Sequence, residues 1–245
     1  LLVLNPIESL WRQIHPGWCS GLASATEPLK ELEQAYSDLF HWLCGAQIDF
    51  DYGDEEMLSR LCSVETDEDG AALLRVGQAT YRAVLVGKMT TLRSSTLKLL
   101  ADFHQAGGQV LFAGDPPAYL DALPSEEPGR LAREAQQLLF TQEAVVAALS
   151  SALPAAVQLS PVGDSDVSSL YCQVRRDADF GVVMLLNADR EQGRRCRVQI
   201  RHDGALEEWD CATGRRQAVV ATRDGDWLSF ETDFAPSGER LYVLL

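Results

Sequence analysis

Apolar positions in the first two thirds of the chain follow two alternating rhythms. Short continuous apolar runs at 1–4, 81–86 and 109–113 read as strands buried on both faces. Between them, apolar residues spaced three and four apart predict amphipathic helices. Leu29, Leu32, Tyr36, Leu39, Phe40 and Leu43 follow a Thr26 cap and a first-turn Pro28, and Leu99, Leu100 and Phe103 follow a cap at Ser94 or Ser95. Gly107 supplies the left-handed stop of that second helix. Residues 48–52 read as a strand leading into an acidic turn and a short helix. The segments 72–76 and 81–86 flank Gly77-Gln78 as a hairpin whose second arm enters the main sheet. Residues 131–149 read as one helix and 156–159 as a last strand. Strands alternating with helices predict an open parallel sheet covered on both faces.

After Pro161 the pattern changes. Short runs of alternating apolar and polar residues at 169–175, 181–187, 195–201, 206–209, 216–221, 227–231 and 240–244 are separated by turn residues, as in an antiparallel β-sandwich. In Asp210-Cys211-Ala212-Thr213-Gly214 the aspartate can open a turn that Gly214 closes with φ > 0. The expected fold is therefore α/β then all-β: residues 1–160 as a flavodoxin-like open parallel sheet, and residues 166–245 as a small antiparallel β-sandwich.

Charge supports the division. Residues 1–160 hold ten basic and twenty-one acidic side chains, the remainder eleven and fifteen, and all three lysines (Lys30, Lys88, Lys98) lie in the first part. A net charge of −15 argues against a nucleic-acid partner and leaves no polybasic membrane anchor. No apolar span reaches transmembrane length. The six cysteines form no C-x-x-C and have no histidine at ligand spacing, so reduced thiols, a cytoplasmic setting and no metal are expected. A chain opening on a core strand without an initiator methionine reads as part of a longer protein.

The order of elements resembles the C-terminal region of large glycoside hydrolases. The strand at 81–86, the stretch TTLRSSTLKLLADFHQAGGQVLFAG and Ile48-Asp49-Phe50-Asp51-Tyr52 resemble the class I glutamine-amidotransferase-like domain known in β-galactosidases as the trimerisation domain. The strand VVMLLNADR, the turn EEWDCATGRR and the ending SGERLYVLL resemble the small sandwich that closes such enzymes. β-Galactosidase-like and α-L-rhamnosidase-like enzymes both fit. The resemblance implies a non-catalytic accessory role, with an upstream catalytic barrel of the same chain as partner, a homo-oligomer interface on the α/β part, and no cofactor. The alternative is a carbohydrate-binding module.

Candidate chemistry is sparse. An amidotransferase needs a cysteine on a G-x-C-x-G elbow and a histidine oriented by glutamate. The matching strand end here reads Val86-Gly87-Lys88-Met89-Thr90, and none of His15, His41, His104 or His202 has glutamate two residues later. No catalytic residue is assigned. The acidic run Asp49, Asp51, Asp54, Glu55, Glu56 sits where a parallel strand would end, as a ligand site, as a helix cap with a favourable first turn, or with Asp49 or Asp51 facing the upstream barrel and bordering its sugar pocket. Such carboxylates could serve acid–base chemistry or hold Ca²⁺. Trp11 and Trp18, in the loop IESLWRQIHPGWCSG, are the tryptophans expected at the surface, for docking a neighbouring domain or stacking on sugar; Trp42 is expected in the core. Gly107-Gly108 follows a helix instead of preceding one, so it is a helix stop and no phosphate loop. The arginines Arg194, Arg195, Arg197 and Arg201 read as a solvated strand face.

Overall fold

The computed structural model describes residues 1–21, 25–176 and 180–245, with the Trp18 and Cys19 side chains outside the described residues. The chain forms two compact units. One comprises Leu1–Phe40 with Phe50–Leu153, the other His41–Asp49 with Pro154–Leu245.

The first unit is built on a five-stranded parallel sheet. Its strands lie in the spatial order Gln136–Leu138, Gln109–Ala113, Ala83–Val86, Leu2–Leu4, Asp51–Gly53. Counted along the chain this is 2-1-3-4-5. Strand alternation sends Leu2, Leu4, Val84, Val86, Val110 and Phe112 into a core with Leu58, Leu97, Leu100 and Phe103 of the helices Glu55–Leu61 and Ser94–Gln105. Val3, Leu85 and Leu111, which point the other way, are equally buried, so both faces of the sheet are covered. Gly107 has φ +94° and ends its helix, its N–H donating to His104 O. A Cβ on Gly108 would fall 2.3 Å from the buried Phe103 ring, so close packing of helix against strand requires glycine there.

Several expectations are corrected. Residues 131–149 are not one helix: Glu127–Glu134 and Gln142–Ala152 are helices separated by the edge strand Gln136–Leu138. A strand reading Gln-Gln-Leu carries no apolar alternation, because an edge position needs little of it. The segment expected at 156–159 in the parallel sheet is Val157–Pro161, which pairs antiparallel with Arg194–Arg201 in the second unit. The hairpin has a third strand, Cys62–Thr66, and its last arm is Ala79–Tyr81, just before the sheet strand Ala83–Val86. Neither Ser94 nor Ser95 caps the helix that follows. Arg93 is its N-cap without a side-chain bond, and Glu55 Oε2 accepts from Arg93 N (2.8 Å) while Asp121 Oδ1 accepts from Ser94 N (3.0 Å).

The second unit holds two antiparallel sheets. One orders Val157–Pro161, Arg194–Arg201, Trp227–Phe234, Thr222–Asp224; the other Leu170–Arg176, Gly181–Asn187, Glu239–Leu244, Leu206–Trp209, Arg216–Ala218. Their inward residues, among them Leu185, Val183, Val198, Ile200 and Tyr242, form one apolar cluster. Gly214 has φ +70°, and Asp210 Oδ1 accepts from Ala212 N (2.9 Å) and Thr213 N (2.8 Å), the turn expected from the sequence. Arg195 and Arg197 pair with Glu231 along one exposed strand face, and Arg194 with Asp189.

Candidate functional site

The strand order reverses between Leu2–Leu4 and Ala83–Val86, and open parallel sheets take ligands beyond the carboxyl ends of such strands. Here that crevice is filled from within. The helix Ile7–Trp11 follows the first strand after Asn5-Pro6 and delivers Ser9, fully buried, to the loop after Val86. Ser9 Oγ accepts from Thr90 N (2.9 Å) and Thr91 N (3.2 Å) and donates to Thr91 O (3.4 Å). In an elbow-type active site the N–H after the nucleophile belongs to the oxyanion hole. That N–H is Thr90's, already spent on Ser9, and Met89 before it is a 5% exposed thioether. Ser9→Ala should cost about 2 kcal/mol, since buried N–H groups lose their acceptor. The midpoint of urea unfolding reads it; an unchanged midpoint would show that the hydroxyl holds nothing.

Beside Ser9 lies a pair of carboxyl groups. Glu8 Oε1 accepts from Arg93 Nε (2.7 Å), and Glu55, with no exposed surface, accepts from Arg93 N. Among the described residues, Glu8 Oε2 and Glu55 Oε1 are buried oxygens that accept no hydrogen bond within the distance and angle limits of one. Burial, added to by the charge of Glu8, pushes the Glu55 carboxyl up to about 7, against the lowering effect of the Thr96 hydroxyl and the Arg93 amide. A proton on Glu55 turns one of the two facing acceptors into a donor.

A cleft of about 530 Å³ opens next to this pair, bounded by Glu8, Trp11, Arg12, Arg93, Asp121 and Ala122. Trp11 is 57% exposed. The Arg12 guanidinium lies 3.7 Å from the centre of the Tyr119 ring, and among the described residues no carboxylate pairs with it. Asp121 and Ala122 both have positive φ (50° and 64°), a costly conformation for residues with a Cβ. It is held by the Asp121 bond to Ser94 and by Ala122 N donating to Thr91 Oγ1 (3.1 Å).

The sequence candidates are not gathered together. Asp51 opens its strand, is exposed, and accepts from Tyr81 Oη (3.0 Å); Asp54 follows the strand, about 10 Å away by strand rise. Asp54 caps the helix Glu55–Leu61, its side chain accepting from Met57 N (3.0 Å), and Glu56 pairs with Arg60 on that helix. Asp49 is exposed and belongs to the second unit, where its charge adds to burial in pushing the Cys172 thiol up to about 12. Of the two tryptophans expected at the surface, Trp11 borders the cleft, and the Trp18 side chain lies outside the described residues. Sequence reasoning missed Ser9, Arg12, Arg93, Asp121 and the burial of Glu55. Only Arg12, adjacent to Trp11, left a local signal.

The second unit has a cleft of about 600 Å³ around Trp209 and Arg216. Several of its side chains contact one another. Arg216 covers the indole at 3.9 Å, Trp209 Nε1 donates to Glu207 (3.0 Å), and Arg240 pairs with Glu208 (3.4 Å). Among the described residues no group of three His, Cys, Asp or Glu could hold a metal ion, and no helix is long and apolar enough to cross a membrane. The described cysteines are all free, and burial raises the Cys62 and Cys196 thiols to about 11 and about 12, away from nucleophilic character.

No protein-family model matches the chain, and no curated protein sequence matches it. Its fold recurs in solved structures of glycoside hydrolases. It is similar to a rhamnosidase from Novosphingobium sp. PP1Y, with 16% identity over 81% of this chain and 20% of that one and a TM-score of 0.60. It is similar to a β-galactosidase from Bacillus circulans sp. alkalophilus, with 11% identity over 100% of this chain and 41% of that one and a TM-score of 0.57. It is also similar to α-L-fucosidase isoenzyme 2 from Paenibacillus thiaminolyticus, with 11% identity over 99% and 48% and a TM-score of 0.55. The chain thus spans less than half the length of each of these enzymes.

Proposed function

We propose that this chain is a non-catalytic accessory region of a bacterial glycoside hydrolase, C-terminal to a catalytic barrel that it buttresses or helps to oligomerise. The observation that carries the reading is the sealed carboxyl edge of the parallel sheet, where Ser9 occupies the Thr90 and Thr91 amides and Met89 stands at the elbow. The 2-1-3-4-5 strand order supports the flavodoxin-like, amidotransferase-like description, and the two antiparallel sheets over one core support a β-sandwich. Glycosidases two to five times longer that contain this fold supply the context. A cytoplasmic setting is part of this proposal, on the scattered cysteines of the sequence.

The test is an assay of the purified chain against a panel of aryl glycosides. No turnover above a barrel-free control is expected; turnover abolished by a substitution within the chain would overturn the reading. A second reading, a carbohydrate-binding module, is favoured by the cleft beside Trp11.

A further inference from the structure

The geometry points to the cleft beside Trp11 as a binding site for a carboxylated sugar, a pyranose carrying one carboxylate. This rests on the carbohydrate-binding reading for the class of ligand, but not on an accessory role for the chain. At about 530 Å³ the cleft has the size of a small-molecule site. Trp11, 57% exposed at its rim, offers a flat apolar face suited to the C–H face of a pyranose.

The anionic group follows from charge. Arg12 is held by the Tyr119 ring at 3.7 Å and has no carboxylate partner among the described residues, so its donor fork remains available. Arg93, the other guanidinium at the cleft, is already paired with Glu8. One unpaired cation, with Glu8 and Asp121 on the rim, suits a single negative charge and repels a dianion such as phosphate. A fork fixed against an aromatic face matches the two oxygens of a carboxylate. The opposite wall is the Asp121–Ala122 segment, whose two positive φ values are held by Ser94 and Thr91, and strained backbone of this kind gathers at ligand clamps.

The experiment is isothermal titration of the purified chain with glucuronate and galacturonate, and with glucose, galactose and glucose 6-phosphate as comparisons. Saturable binding of a uronate at millimolar concentration is expected, at least about tenfold tighter than its neutral counterpart or the phosphate, since a charge-assisted bidentate bond is worth about that factor. Arg12→Ala and Trp11→Ala should each weaken it about tenfold, and Arg12→Lys should recover only part of the loss. Both side chains are exposed, so the variants should melt with the parent, which separates lost binding from lost folding. Absence of saturable uronate binding, or binding indifferent to Arg12→Ala, would overturn the assignment and leave the accessory reading intact. Turnover of aryl glycosides would sink the accessory reading while leaving this one standing.

Discussion

Asn187→Ala is expected to lower the stability of the second unit by about 3 kcal/mol, the cost of stranding several buried polar groups at once. Asn187 ends the strand Gly181–Asn187 and is completely buried. Its amide donates to Gln192 O (2.8 Å) and Ala235 O (3.0 Å), and its Oδ1 accepts from Ser169 Oγ (3.1 Å) and Asp189 N (3.1 Å). One side chain therefore ties the turn after its own strand to the start of a neighbouring strand and to the turn at 235–238. Truncation leaves the Gln192 carbonyl, the Asp189 N–H and the Ser169 hydroxyl proton without these partners, while Ala235 O keeps only the Gly238 N–H (2.9 Å). Thermal unfolding followed by tryptophan fluorescence should show a fall of roughly 15 °C for a unit of this size. Asn187→Asp should be at least as damaging, because it removes both donors and places a charge against two carbonyl oxygens. A loss below about 1 kcal/mol for Asn187→Ala would mean that the turns are held by other contacts.

The second large effect is one of pH. The folded-state Glu55 carboxyl is raised to about 7 from an ordinary value near 4.5, chiefly by burial. A raised acid means that the folded state binds more protons than the unfolded state between those two values. The stability it contributes is fully present below about pH 4.5 and is lost as pH rises through about 7, by up to about 3 kcal/mol. Glu55→Gln keeps an acceptor for Arg93 N and offers Glu8 a permanent donor. The variant should match the parent near pH 5 and exceed it by roughly 5–10 °C in Tm near pH 8. Carboxylates with lowered values, such as Glu56, Glu65 and Asp67, titrate below this window and are common to both proteins. Parallel melting profiles from pH 5 to 8 would show that Glu55 is charged throughout.

Both effects arise from groups whose importance the chain does not announce locally. The strand carrying Asn187 is legible residue for residue in the run GVVMLLN, because alternation fixes which side chains face inward. That an asparagine there meets Gln192 and Ala235 is not, since those carbonyls are placed by two turns of different strands. Glu55 is the sharper case. An acid one residue after a helix-capping aspartate reads equally well as a solvated first-turn charge, which is what Glu56 is, and as the buried group that Glu55 is. Helical rotation of 100° per residue separates the two, and only the neighbour at Arg93 shows which one faces inward.

The sequence by itself determined what short-range physics controls. It gave the apolar strands of the parallel sheet, the left-handed stop at Gly107, the Asp54 cap, the Asp210–Gly214 turn, and a thioether where an elbow nucleophile would stand. These depend on steric limits, side-chain reach or residue chemistry within a few positions. Tertiary structure alone decided that Gln136–Leu138 is a strand and that Val157–Pro161 joins the second unit. It alone capped the helix Ser94–Gln105 with Glu55 and Asp121, sealed the crevice with Ser9, and set Trp11, Arg12 and Asp121 around one cleft. The physical reason is separation along the chain: Ser9 meets Thr90 across 81 residues and Glu55 meets Arg93 across 38. A polar side chain carries no mark of a distant partner until packing removes its water.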